Sequence, residues 1–258
     1  MKKLYFIATC CLALFLVNCS DNKENPASKT SGNENGHEWV DLGLPSGTRW
    51  ATCNIGATYP QESGNFYSWG EIEEKAVYDW DSYKYGRLNA LTKYCTNTEY
   101  GLNGFQDYKK VLDFLDDAAL MHWGGLWRMP TKTQLKELMS ECYWVWTNDY
   151  DNSGVAGFIV YKVKSEADKN VKIYDGGTPS DSYSLFDVHI FLPAAGYRMD
   201  GEIKRANERA FYWTSSLSTS SCDNPLSAWQ LIFLSDAVTC QSDFRFYGQP
   251  VRAVIPGE

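Results

Sequence analysis

Past Cys142 the chain carries six apolar, β-forming runs: "GVAGFIVYKV", "DVHIFLPAAGY", "RAFYWTSSL", "SAWQLIFL", "DFRFYG" and "PVRAVI". Gly, Pro, Asp and Ser punctuate them, as they punctuate strands joined by turns. A parallel sheet needs a crossover element, usually a helix, between successive strands, and this half of the chain has few helices to offer. The fold class is therefore α+β and not alternating βαβ, with strands gathered towards the C-terminus. Helical signals sit earlier. From Asp107 to His122, Val111, Leu112, Leu115, Ala118, Ala119 and Met121 mostly recur at spacings of three and four, which predicts at least a partial helix with that face on a core. A second helix starts at Thr131, whose side chain and Gln134 three residues on form a capping box. Leu135, Leu138, Met139 and Cys142 then mark one apolar face. Between the two lies "HWGGLWRMP", where Gly124-Gly125 fits a helix stop and turn. Near the start, "EWVDLGL" and "RWATCNI" read as a hairpin, and "NFYSWGE" as a short strand. Ile72 to Gly104 has no periodicity, and long irregular stretches of that kind often carry function.

With 258 residues, no internal repeat and no second linker, residues 37–258 form one domain. Aromatic residues make up 15% of the chain, including 10 Trp and 17 Tyr, and such rings chiefly fill a β-rich core. The net charge is −8, and −10 once Lys2 and Lys3 leave with a leader. That argues against nucleic acid, whose binding relies on Lys and Arg at phosphates, and suits a neutral glycan or a protein ligand.

The leader is residues 1–18: a basic start, then an apolar run from Leu4 to Val17 too short for a comfortable membrane span. "LVNC" resembles the lipobox of bacterial lipoprotein signals, which makes Cys19 the lipidated first residue of the mature chain; an ordinary secretory signal is the alternative. Residues 19–36 are polar and lack aromatics, and are expected to be a flexible tether. "SDNKE" after Cys19 is similar to surface-export signals of Bacteroidetes lipoproteins, implying an outer-membrane protein that faces outward.

Catalytic motifs are scarce. His37, His122 and His189 lie far apart, and HExxH, paired CxxC, GxSxG and P-loop patterns are all missing. Cys53, Cys95, Cys142, Cys222 and Cys240 remain in the mature domain. Cys222 and Cys240 can close a loop of about 18 residues, a bond of roughly 3 kcal/mol if formed; buried free thiols are the other reading. "NDYDNSG", Asn148 to Gly154, offers oxygens of the kind calcium takes, although such loops also serve as plain turns. No other cofactor is expected.

Six blocks in order, "WVDLGLPSGTRWATCNIGA", "FYSWGE", "DDAALMHWGGLWRMPTKTQLKEL", "FLPAAGYR", "FYWTSS" and "GQPVRAV", resemble the FISUMP (Fibrobacter succinogenes major paralogous) domain of Bacteroidetes surface lipoproteins and span residues 38–255. Through it the chain resembles the C-type-lectin-like fold of formylglycine-generating enzymes. The resemblance implies a twisted antiparallel sheet, two helices and long irregular loops. It also implies that Trp123, Trp127, Arg128, Pro130 and Thr131 form a structural corner, in which Arg128 is a candidate partner for Asp116 or Asp117. Late loops form the ligand surface in that fold, so Leu217 to Ala228 is a candidate face. Tyr197 and Trp229 would stack on a sugar there, and Asp223 and Asn224 would bond hydroxyls. Against this, Trp229, Leu231 and Phe233 share one strand face and fit a core. The functional expectation is an envelope lipoprotein with a non-catalytic glycan- or protein-binding, adhesin-like domain. The alternatives are a docking component of a surface complex and an exported oxidase of the formylglycine-generating type.

Overall fold

The computed structural model describes residues 30–219 and 224–257. Three short strands open it: β1 (Ser31–Glu34), β2 (His37–Val40) and β3 (Arg49–Ala51). An irregular stretch follows, broken by the two-residue pair β4 (Gly86–Arg87) and β5 (Ala90–Leu91). Two α-helices come next, α1 (Ala118–Trp123) and α2 (Lys132–Glu141). The rest is strand and loop: β6 (Cys142–Thr147), β7 (Gly157–Lys162), β8 (Lys172–Ile173), β9 (His189–Pro193), β10 (Tyr197–Met199), β11 (Glu202–Lys204), β12 (Arg209–Leu217), β13 (Ser227–Leu234), β14 (Ala237–Phe244) and β15 (Val254–Ile255). The architecture is mixed α+β, dominated by sheet.

Three sheets carry the core, ordered β1-β2-β3-β15, β8-β6-β7-β9 and β12-β13-β14. The first unites the two ends of the described chain: Val254 pairs with Trp50 and Val40 with the same residue from the other side. In the second, both faces are buried. Trp144, Phe158 and Ile190 face α2 and the central core, while Tyr143, Val145, Ile159, Tyr161 and Phe191 lie under the two loops that carry Tyr150 and Tyr183. Two buried faces explain why these runs read as continuously apolar and not alternating. A separate, ring-rich core gathers Trp39, Tyr67, Trp69, Tyr94, Trp127 and Trp213. Buried indoles need a partner for their N–H, and these find backbone carbonyls: Trp69 bonds Thr214, Trp213 bonds Tyr67 and Trp127 bonds Glu34.

The capping box at α2 is complete, with Thr131 Oγ1 accepting from Gln134 N and Gln134 Oε1 accepting from Thr131 N. Leu135 and Leu138 face the core, and the helix ends at Glu141 so that Cys142 already belongs to β6. The expected runs 209–217 and 227–234 are β12 and β13.

Three expectations change. The helix forecast over 107–122 shrinks to a 3-10 turn at Phe114–Asp116 and to α1, and Val111, Leu115 and Met121 are exposed. Residues 110–112 instead bond the edge of β12, with Leu112 N on Ser215 O and Leu217 N on Lys110 O. A backbone held extended against a sheet edge has two-residue side-chain periodicity, so it buries Leu112 and turns Val111 out. "NFYSWGE" makes a single bridge, Tyr67 with Gln249, and not a strand. Finally, β1 lies within the segment expected to be tether, and residues 31–36 form a hairpin with β2.

Candidate functional site

That first hairpin builds one wall of the site. Asn35 and Gly36 both have positive φ, 50° and 88°, and link paired strands as a two-residue turn. Asn-Gly is the strongest short hairpin signal because a type I′ turn requires φ > 0 at both positions. It was legible in the sequence, yet the polar composition around it suggested a tether. The turn brings His37 flat against Trp123, with ring centres 4.0 Å apart and planes 13° apart. Asn35 closes the contact from below by donating its amide N–H to the Trp123 carbonyl.

Two adjoining clefts open here, of about 440 and 340 Å³, sharing Glu38, Thr52, Cys53 and Thr58. The first lobe is bounded by Asn33, His37 and Trp123. The second is bounded by Tyr59, Tyr150, His189 and Phe191. Tyr150 stacks on Phe191 at 3.9 Å, and its hydroxyl lies 3.0 Å from His189 Nε2. His189 Nδ1 faces the Asp187 carbonyl at 2.8 Å, so Nδ1 carries the hydrogen and Nε2 accepts from Tyr150. The loop between the lobes is held by Glu62, whose carboxylate accepts from Thr58 N at 2.7 Å and Tyr59 N at 3.1 Å. Those two bonds hold its carboxyl below the ordinary range.

Beneath the shared wall lies Arg252, fully buried. It donates Nε to Asn54 Oδ1 (2.8 Å), Nη1 to Ala51 O (3.1 Å) and Thr52 O (2.8 Å), and Nη2 to Phe191 O (2.8 Å). It therefore ties the chain leaving β3 to β9 and sets the spacing of the lobes. Among the described residues no carboxylate lies within 4.0 Å of it. Burial without a counter-ion pulls its pKa down. Glu38 is the one carboxylate among the lining residues, and no Lys or Arg lines either lobe. Burial lowers the His37 pKa, keeping that ring neutral at pH 7. The groove thus joins aromatic faces to hydroxyl, amide and one carboxylate oxygen, a combination that suits a polyhydroxylated ligand.

Of the residues proposed for binding from sequence, Tyr197 and Trp229 do not meet. Trp229 is half-buried with the Lys132 ammonium 3.0 Å from its ring centre, and Leu231 and Phe233 on the same strand face are in the core. Tyr197 packs between Phe211 (4.8 Å) and Tyr247 (5.3 Å). Phe211 pairs with Ile232, which points to the face opposite Trp229, so Tyr197 and Trp229 lie on opposite sides of one sheet and cannot grip one sugar. Asn224 Oδ1 accepts from Leu226 N and shapes a turn. Asp223 and Cys222 lie outside the described residues, as do the leader, Cys19 and the chain to residue 29. Cys240 is a free thiol, and the proposed bridge to Cys222 falls on the undescribed side.

The corner holds together by other bonds than expected. Arg128 pairs with neither Asp116 nor Asp117; its Nη1 donates to Gly125 O (3.1 Å) and Trp127 O (2.6 Å), and its guanidinium lies over Phe114. Asp116 takes Lys93 Nζ and the Tyr94 hydroxyl, each at 2.5 Å, and the Tyr85 hydroxyl. Asp117 caps α1 at Leu120 N and also accepts from Met129 N. Burial pushes its carboxyl up despite those bonds. Pro130 offers its carbonyl to Ser215 N. Trp123 serves both purposes, as corner and as groove wall.

In Asn148 to Gly154, Asp149 Oδ1 accepts from Gly154 N (2.6 Å) and Asn148 Oδ1 from Trp146 Nε1 (2.9 Å), which are the bonds of a closed turn. Among the described residues no group of three or more His, Cys, Asp or Glu side chains converges as metal ligands, and no helix is long and apolar enough to cross a membrane. Comparison with protein-family models, with curated proteins and with solved structures finds no match.

Proposed function

We propose that this chain is an envelope lipoprotein, anchored through Cys19 at the outer membrane and facing outward, whose FISUMP-like, C-type-lectin-like domain binds a neutral glycan without turning it over. The observation that carries this is the two-lobed groove, with the His37 ring, stacked on buried Trp123, in one lobe, Tyr150 in the other, and Glu38 shared between them. A sugar offers a C–H face to aromatic rings and a hydroxyl rim to polar groups, and each lobe presents both. A single uncompensated carboxylate favours neutral or cationic sugars over acidic ones.

The test is a glycan array followed by titration calorimetry on the mature chain, with calcium and with chelator. The expected result is saturable binding to one neutral glycan class in both conditions. Glu38 is exposed, so Glu38→Ala leaves the fold intact; losing a charge-assisted hydrogen bond of about 2 kcal/mol weakens binding by more than tenfold. A blank array in both conditions refutes glycan recognition, and binding that vanishes with chelator moves the site to a calcium loop.

A further inference from the structure

The stretch 107–122 is helical only at its end, as a 3-10 turn and α1, and this leaves apolar side chains at the corner without a core. Val111 is 52% exposed, Phe114 67%, Leu115 71% and Leu126 55%. Arg128 gathers them at one corner, its guanidinium over Phe114 and its Nη1 bonded to carbonyls on either side of Leu126. Val111 and Phe114 also edge a cleft of about 380 Å³ floored by Leu112 and Met129. Isolated exposed apolar residues need no explanation, but an apolar patch rimmed by polar residues marks an interaction surface. Lys109, ion-paired to Asp113 at 2.6 Å, and exposed Lys110 supply that rim beside Val111.

What covers the corner is bounded by its distance from the anchor, because the chain enters β1 at Thr30, beside Asp41, and reaches the corner at Glu34. Glu34, the last residue of β1, accepts from Leu126 N through Oε1 and from Trp127 Nε1 through its carbonyl. The strand that receives the chain from residue 29 therefore ends against the patch, about 13 Å from Thr30 at strand rise. Only ten residues separate Thr30 from Cys19, and the eleven Cα–Cα steps span at most about 40 Å when fully extended. We infer that this corner, Val111-Phe114-Leu115-Leu126 with its lysine rim, docks on the lipid surface to which Cys19 is anchored, orienting the domain on the membrane. The inference rests on the lipidation of Cys19 and not on the identity of any glycan. Apolar side chains entering the acyl boundary while Lys and Arg stay at headgroup level is the chemistry of an interfacial segment.

The experiment is hydroxyl-radical footprinting of the acylated mature chain on vesicles of phosphatidylethanolamine and phosphatidylglycerol, read by peptide mass spectrometry. Phe186, fully exposed on a distant loop, is the internal reference. Phe114, Leu115 and Leu126 should be oxidised several-fold more slowly than Phe186, and Leu115→Asp with Leu126→Asp, both surface changes, should restore Phe114 to the reference rate. Equal rates in the unchanged chain overturn the proposal while leaving the anchor intact. Protection that rises with protein density on the vesicle overturns it in favour of protein–protein contact. The mass of the N-terminal peptide reports acylation in the same run, and an unmodified Cys19 overturns the proposal without touching the groove.

Discussion

Asp116 shows how one side chain sets the energetics of its surroundings. It is buried, and burial alone would raise its pKa; the bonds from Lys93, Tyr85 and Tyr94 outweigh that and hold it below the ordinary carboxylate value. A carboxyl depressed in the folded state contributes stability above its unfolded pKa of about 4, and that contribution fades as pH falls towards the folded value. Asp116→Asn should therefore cost about 3 kcal/mol at pH 7, with the penalty shrinking below pH ~4; urea melts at both pH values measure it. An equal penalty at pH 3 and 7 would mean that packing, not charge, holds this cluster. Asp117, raised by burial, works in the opposite sense: its contribution is present at low pH and is lost as pH climbs through its folded value. Neither role was legible from "DDAALM", because the donors to Asp116 come from residues 22 to 31 positions away.

Among the elements, α2 and the β1–β2 hairpin make a useful contrast. The capping box is local chemistry, and Thr131→Ala should lower stability by about 1 kcal/mol while leaving glycan affinity unchanged, since α2 does not line the groove. Gly36 has φ +88° with open space where a Cβ would sit, so Gly36→Ala introduces backbone strain and no clash. It should cost about 1 kcal/mol and, unlike the helix change, weaken binding, because His37 is placed on Trp123 by that turn. Denaturation and calorimetry on both variants separate the two effects; unchanged affinity in Gly36→Ala would detach the hairpin from the site. The first part of the stretch 107–122 departs from a helix for a related reason. Its apolar spacing is genuine, but pairing with the β12 edge offered the backbone its hydrogen bonds elsewhere.

For the molecule as a whole, thiol chemistry distinguishes the groove from the core. Cys53 is partly exposed between the lobes, whereas Cys142 is buried and its thiol is pushed well up by desolvation. Alkylation of the native chain should modify Cys53 first, and bound glycan should protect it. Cys142 should react only at the rate of global unfolding; comparable rates for the two thiols would mean that the β6 sheet opens in the native state. The α+β class, α2 with its cap, and strands β12 and β13 could all be read from the chain, because each depends on propensity and spacing within some ten residues. The groove could not. Its walls come from residues 33–60, 123, 150 and 189–191, held in register by Arg252 from the last strand region. Which face of Trp229 or Tyr197 meets solvent was likewise undetermined until the sheets packed. Local hydrogen bonding specifies elements, but exposure and convergence are properties of distant surfaces brought together, and only the tertiary structure decides them.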